Sequence, residues 1–548
     1  MKPSALPLCV FLCFVLLLGA GPVAADCTNL LVTSGASADG AVMITYTCDG
    51  EFHPRLQSIP AADYEPGSFF ELKDWSGKVR GKIAQVPHTY AVVGLMNEHQ
   101  LAISETTFDG RTELQDPDGL LHYWDLMRLA LMRAKTAREA IGVMTDLVGQ
   151  YGYRSTGESI SIADPHEAWI LEIIGPGPGG KGANWVAVRI PDGYVSCHAN
   201  KARIGEFPLN DAENCLYSKD VVSFAIEKGY YDPASGKPFR FCDAYCPPTP
   251  KNRRYGSTRV WSFFRRIAPS QHFSPDYHRG VAGAEPYPLW IKPDEKLTLA
   301  DVFALMRDHY EGTDYDMTQG LDAGPYNTPN RWRPIYWTVD GVEYTWERPI
   351  STQQTGFAFV SQSRAWLPDA IGGVYWYGVD DTYLSCYVPL YCCIDALPES
   401  YTVGELGKFT WDSAWWVFNF VANYANLRYS DMCPDIQAVR NELEGNLLAL
   451  QPAVEQTARE LCAAHPDLMR RYLTDYCVYH AETVVRRYRA LGEYLIQKYN
   501  DGYVQDENGR PQERGYPEAW LRRVLKERPD QFRLPEKPED VPESKLVD

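Results

Sequence analysis

The chain has 548 residues and a formal charge of −18, and its 53 basic residues, outnumbered by 71 acidic ones, form no long run, which excludes a partner that must be gripped by its phosphate backbone. Hydrophobic residues at 45% and aromatics at 13% provide for a large β-rich core and exclude a mainly disordered protein. Beyond the first 25 residues no stretch is long and apolar enough to cross a bilayer, which takes roughly 20 residues.

The amino terminus carries Lys2, an apolar run from Leu8 to Leu18, and the small residues Val23-Ala24-Ala25, with Gly19, Gly21 and Pro22 ending the run. This pattern predicts a signal peptide, hence a secreted or periplasmic protein. Cleavage after Ala25 leaves Asp26 ahead of Cys27, and removal of that one residue, autocatalytic or otherwise, makes Cys27 the first residue. An amino-terminal cysteine brings its own base, because its α-amine, with a reference pKa of about 8, can take the proton of a thiol near 8.5. Asp26 departs from the small residue that a lipoprotein signal places before its cysteine, so lipidation is disfavoured.

Residues 29–47 predict a hairpin, with Leu30-Leu31-Val32 and Val42 to Thr47 as strands around Asp39-Gly40, placing Cys27 at the exposed start of a strand. A second hairpin is expected across 91–107 around Glu98 and His99. Helical spacing covers 123–151, and strands return at 159–163, 168–174, 185–190 and 195–198. The glycine- and proline-rich 175–182 nearly spells a phosphate-binding loop. Gly182 stands where a Ser or Thr would hold magnesium and prolines remove backbone donors, so it reads as a hairpin connection. Helices are predicted at 215–229, 257–268 and 298–310, and strand-like aromatic runs at 334–348, 355–367 and 373–391. From about Asp412 the pattern is helical, with 434–499 broken at Pro452 and Pro466. Strands joined by hairpins and separated from blocks of helix indicate an α+β layered fold.

Fourteen cysteines include Cys9 and Cys13 of the leader. Export permits disulfides, and Cys242 with Cys246, or Cys392 with Cys393, are candidate pairs. No paired CxxC and no HExxH motif exists, so neither a metal nor an organic cofactor is expected. His198 beside Asn200 permits a papain-like Cys-His-Asn reading, against which the amine of Cys27 already supplies a base.

The segments 27–50 (CTNLLVTSGASADGAVMITYTCDG), 94–108 (GLMNEHQLAISETTF), 155–175 (STGESISIADPHEAWILEIIG), 196–207 (SCHANKARIGEF) and 257–266 (STRVWSFFRR) resemble, in that order, the C69 dipeptidases of the N-terminal nucleophile hydrolase superfamily. The resemblance implies a four-layer αββα sandwich of two antiparallel sheets. With it come the expected spans: 1–26 removed on maturation, 27–430 a catalytic domain, and 431–548 a helical extension with a polar tail. It implies Cys27 as nucleophile, Asp49 holding its amine or thiol, Asn200 donating to the oxyanion, and Arg259 beside the nucleophile. Asn97 and Thr107 are expected at the substrate. Tyr46 departs from the family pattern, standing where arginine is usual. The implied activity is cysteine-type hydrolysis of dipeptides through a thioester. The alternatives are an N-acyl amide hydrolase of the bile-salt or penicillin acylase kind, or a secreted binding protein without activity. A homo-oligomer is compatible with all of these.

Overall fold

The structure, a computed structural model, describes residues 26–50, 55–74 and 76–534; the expected signal peptide lies outside the described residues. Two antiparallel sheets pack face to face. The first runs Trp290–Ile291, Val195–His198, Asp26–Val32, Val42–Asp49, Thr355–Ser363, Val374–Val379, Val388–Tyr391 in spatial order. The second runs Cys215–Tyr217, Asn184–Arg189, Ala168–Ile174, Gly157–Ala163, Ala102–Phe108, Met96–Asn97, Val92–Val93, Ser58–Ile59. Helices Tyr123–Arg133 and Ala137–Tyr151 cover the second sheet, and Thr258–Ile267, Ala414–Ala425, Tyr429–Ala464 and Pro466–Lys498 cover the first. The α+β sandwich expected from the pattern and the resemblance is the observed architecture.

Local chemistry accounts for the element ends. The helical spacing over 123–151 is realised as two helices, because Ala134 is extended and the Thr136 hydroxyl accepts from Glu139 N at 3.2 Å, starting a new N-terminus. Thr298 and Asp301 form a capping box for Leu299–Leu305. The helix expected to continue to 310 stops there, and Tyr310 takes a left-handed φ of 67°. Only Val221–Glu227 of the predicted helix 215–229 is helical; Cys215–Tyr217 is recruited as an edge strand. The loop at 175–182 does join two strands of one hairpin.

The break expected at Pro452 is absent. Helix Tyr429–Ala464 runs through both Pro434 and Pro452, and only Pro466 starts a new helix, at its first turn. An interior proline removes one backbone hydrogen bond, a cost of about 3 kcal/mol. Packing on either side of it outweighs that cost: Leu443, Leu447, Val454 and Ala458 are buried, and Glu444 Oε2 accepts from Arg307 Nη1 at 3.0 Å. None of the twelve cysteines of the described residues is in a disulfide, so neither candidate pair is joined.

Candidate active site

Cys27 is the second residue of the strand Asp26–Val32, which lies inside the first sheet. Its strand is paired on one side with Val195–His198 and on the other with Val42–Asp49, where Cys27 lies opposite Cys48. The thiol is therefore fully buried, not at an exposed strand start as the hairpin reading predicts. A two-strand reading shows neither the third strand nor the facing sheet. Side chains alternate along a strand, so Cys27 and Asn29 face the second sheet, where Asn29 lies between the hydroxyls of Ser104 and Ser161. Cys27 Sγ is 3.6 Å from both Tyr46 Oη and Glu105 Oε1, and Tyr46 donates to Glu105 at 2.5 Å. Burial pushes the thiol well above its ordinary pKa, and the hydrogen bond with Cys48 and the charge of Glu105 push it further. Cys27 is therefore held as a neutral thiol.

The nitrogen of Cys27 is held separately. It donates to Asn200 Oδ1 at 3.1 Å, and Asn200 Nδ2 donates to the Thr107 carbonyl at 2.7 Å. Asn200 follows the strand Val195–His198 with φ 51°, a left-handed conformation that asparagine tolerates better than most residues. Arg259 Nη2 donates to the same Asn200 oxygen at 2.9 Å, while Nη1 reaches the Cys27 carbonyl at 2.7 Å and Thr28 Oγ1 at 2.9 Å. The helix that carries Arg259 is entered through a π-turn, Arg253–Ser257. In that turn a Cβ on Gly256 would stand 2.3 Å from the Ala199 carbonyl, so only glycine lets the turn approach the segment that ends in Asn200.

Of the residues expected from the sequence, Cys27, Asn200 and Arg259 thus converge, with Thr107 beside them. Thr107 donates to Glu158 at 3.1 Å and lends its carbonyl to Asn200. The Asn200 orientation departs from expectation: its oxygen faces Cys27, and its nitrogen is directed at Thr107. Asp49 is near but turned away, on the opposite face of the sheet from the thiol. It accepts from Thr47 at 2.7 Å, from Thr355 at 2.5 Å and from Arg348, whose Nη2 also donates to the Asp26 carbonyl at 3.0 Å. Asn97 is not brought to the site. Its Nδ2 donates to the carbonyls of Leu131 and Ala134, both at 2.8 Å, and its oxygen accepts from His99 N and Leu101 N, so it ties a hairpin to a helix end.

Sequence reading misses Glu105, Arg348 and the surroundings of Asp26. Glu105 has a local signal, an acid within the otherwise buried strand Ala102–Phe108. Arg348 has none, because it arrives from 322 residues away. Both ring nitrogens of His198 are engaged away from the thiol, 2.7 Å from Thr106 Oγ1 and Ser161 Oγ, which counts against the Cys-His-Asn reading. Burial, with Arg203 adding to it, pushes its pKa down to about 3. The folded state therefore refuses a proton that the unfolded chain accepts below about 6.5, so stability is present above that value and is lost as pH falls through the window from 6.5 to 3. His198→Gln is expected to flatten this acid limb when melting temperature is measured against pH; an unchanged limb would place the loss elsewhere.

Comparison with known proteins supplies the family. The model for peptidase family C69 matches residues 58–442, a span that begins after Cys27. A probable dipeptidase of Salmonella dublin is 30% identical over 419 residues, covering 72% of this chain and 87% of its own. Probable dipeptidase A of Streptococcus pyogenes serotype M3 is 26% identical, covering 84% and 96%, and a dipeptidase of Bifidobacterium longum is 26% identical, covering 72% and 76%. The chain belongs to peptidase family C69.

Proposed function

We propose that the protein is an exported bacterial cysteine dipeptidase that uses Cys27, freed of Asp26, as an amino-terminal nucleophile. The observation that carries this reading is the double hold on Cys27: its sulfur lies among Tyr46, Glu105 and Cys48, and its nitrogen is separately gripped by Asn200 and, through Asn200, by Arg259. Any buried backbone N–H needs an acceptor, but here the acceptor is a side-chain oxygen that Arg259 also holds, not the neighbouring strand. The names of the dipeptidase relatives point to the substrate class.

Once Asp26 leaves, the nitrogen becomes an amine that keeps an N–H on Asn200 and directs its lone pair to its own thiol. Transfer of the thiol proton to the amine yields the attacking thiolate. Attack on the dipeptide carbonyl gives a tetrahedral intermediate, and the ammonium returns the proton to the leaving amine. The acyl group remains as a thioester, which water, deprotonated by the same amine, releases. Asn200 acts in this scheme by positioning the amine, since its oxygen is the atom facing Cys27. Arg259 locks Asn200 and the Cys27 carbonyl in one geometry.

The test is maturation and inhibition together. Intact mass of the active exported protein is expected to begin at Cys27, and activity to survive EDTA while iodoacetamide abolishes it by modifying Cys27. An active species that retains Asp26 would sink the mechanism, because its nitrogen would still be an amide and no base.

A further inference from the structure

The residue that must leave is itself held as a ligand would be. The Asp26 carbonyl accepts from Arg348 Nη2 at 3.0 Å, Arg333 Nη1 lies 3.9 Å from the Asp26 carboxylate, and the Tyr255 ring lies within electrostatic reach of that carboxylate. The Asp26 side chain is 16% exposed and that of Arg333 37%, so the contact is partly desolvated. The surrounding charge is lopsided. Arg259 is fully buried, and its partners are the Cys27 and Tyr255 carbonyls, Thr28 and Asn200, with no carboxylate among the described residues. Arg348 pairs with Asp49. Without Asp26, and among the described residues, Arg333 loses the one carboxylate it pairs with, Arg348 keeps Asp49, and Arg259 still has no ion pair, an arrangement that favours an incoming anion beside Arg333.

The chemistry of maturation links this seat to turnover. Cys27 Sγ adds to the Asp26 carbonyl carbon, the carbon–nitrogen bond breaks, and the thiol proton passes to the nitrogen, giving an aspartyl thioester and a free amine; water then releases the acid and restores the thiol. A dipeptide with amino-terminal aspartate forms the same aspartyl thioester on the same sulfur, its second residue leaving as the amine. The acyl group, its carbonyl donor and its carboxylate partner are common to both.

Resting on the cysteine dipeptidase reading above, we infer that the seat of Asp26 is the acyl subsite of the mature enzyme, and that Arg333 makes it selective for dipeptides whose amino-terminal residue has a carboxylate side chain. Asp-Ala and Asn-Ala differ in that charge and little else. The mature enzyme is expected to favour Asp-Ala in kcat/KM by roughly threefold to fivefold, the worth of a partly exposed ion pair. Arg333→Met should bring the ratio close to one, and Arg333→Glu should invert it. Arg333 is partly exposed at the surface, so these variants are expected to fold.

A parent enzyme that hydrolyses both substrates equally would overturn the inference. So would an Arg333→Met variant that slows both by the same factor, since Arg333 would then read the carboxyl terminus that every dipeptide has. A measurement independent of turnover keeps the two proposals apart. Free L-aspartate should protect Cys27 of mature protein from iodoacetamide at lower concentration than L-asparagine, and Arg333→Met should remove the difference. Protection without turnover of any dipeptide would sustain the subsite and sink the dipeptidase reading; equal protection by both amino acids would overturn the subsite whatever the turnover.

Discussion

A Cys27→Ala chain is expected to hydrolyse dipeptides at least ~1,000-fold more slowly than the parent, to retain Asp26, and to remain folded. The first two losses have one cause. On the proposed mechanism the sulfur attacks the Asp26 carbonyl once in maturation and the substrate carbonyl in every turnover, and removing a nucleophile leaves only what positioning and electrostatics can do. The fold should persist because the change deletes a single buried sulfur, a loss on the order of 1 kcal/mol, from a strand whose hydrogen bonds to both neighbours are made by backbone. Intact mass reports retention of Asp26, circular dichroism the fold, and a dipeptide assay the rate. Cys27→Ser is the sharper variant, since its hydroxyl occupies the same place but is far harder to deprotonate. A serine variant that matures and turns over near the parental rate would remove the thiol from the chemistry.

How much of this was legible in the sequence depends on how far apart the interacting residues lie along it. The strand pairs around Cys27 follow from alternation and from Asp39-Gly40, the layered α+β class from strands grouped apart from helices, and the two-sheet sandwich from the resemblance. The motif around Asn200 and the one containing Arg259 could be found by resemblance. Their mutual geometry could not, because Arg259 reaches Cys27 across 232 residues and through a turn that depends on Gly256 approaching Ala199. Tyr46 reads in the sequence as an anomaly at an arginine position. In the fold its hydroxyl bridges the thiol and Glu105, while buried arginines approach from elsewhere in the chain as Arg259 and Arg348. Proline rules failed at Pro452 because they price a local hydrogen bond, whereas the continuity of that helix is decided by long-range burial. Export and the signal peptide rest on the sequence pattern alone.

The Arg348–Asp49 pair yields the other large effect, and it separates stability from chemistry. Both side chains are almost wholly buried. Burial alone disfavours the charge on Arg348, but Asp49 more than offsets it, so the guanidinium holds its proton more tightly than an exposed arginine does. Arg348→Met therefore strands a carboxylate in the core with only the hydroxyls of Thr47 and Thr355, and breaking such a pair costs about 3–5 kcal/mol. A second change, Asp49→Asn, removes the stranded charge while keeping an oxygen for those hydroxyls, and should restore most of that loss in a denaturant titration. Maturation should behave differently. Arg348 Nη2 is the donor on the Asp26 carbonyl, where negative charge develops as the sulfur adds, and losing one such donor lowers a rate by about 100- to 1,000-fold. The double variant is thus expected to be nearly as stable as the parent and yet to accumulate with Asp26 uncleaved, followed by intact mass over time. A stable double variant that matures at the parental rate would leave Arg348 as a structural partner of Asp49 and nothing more.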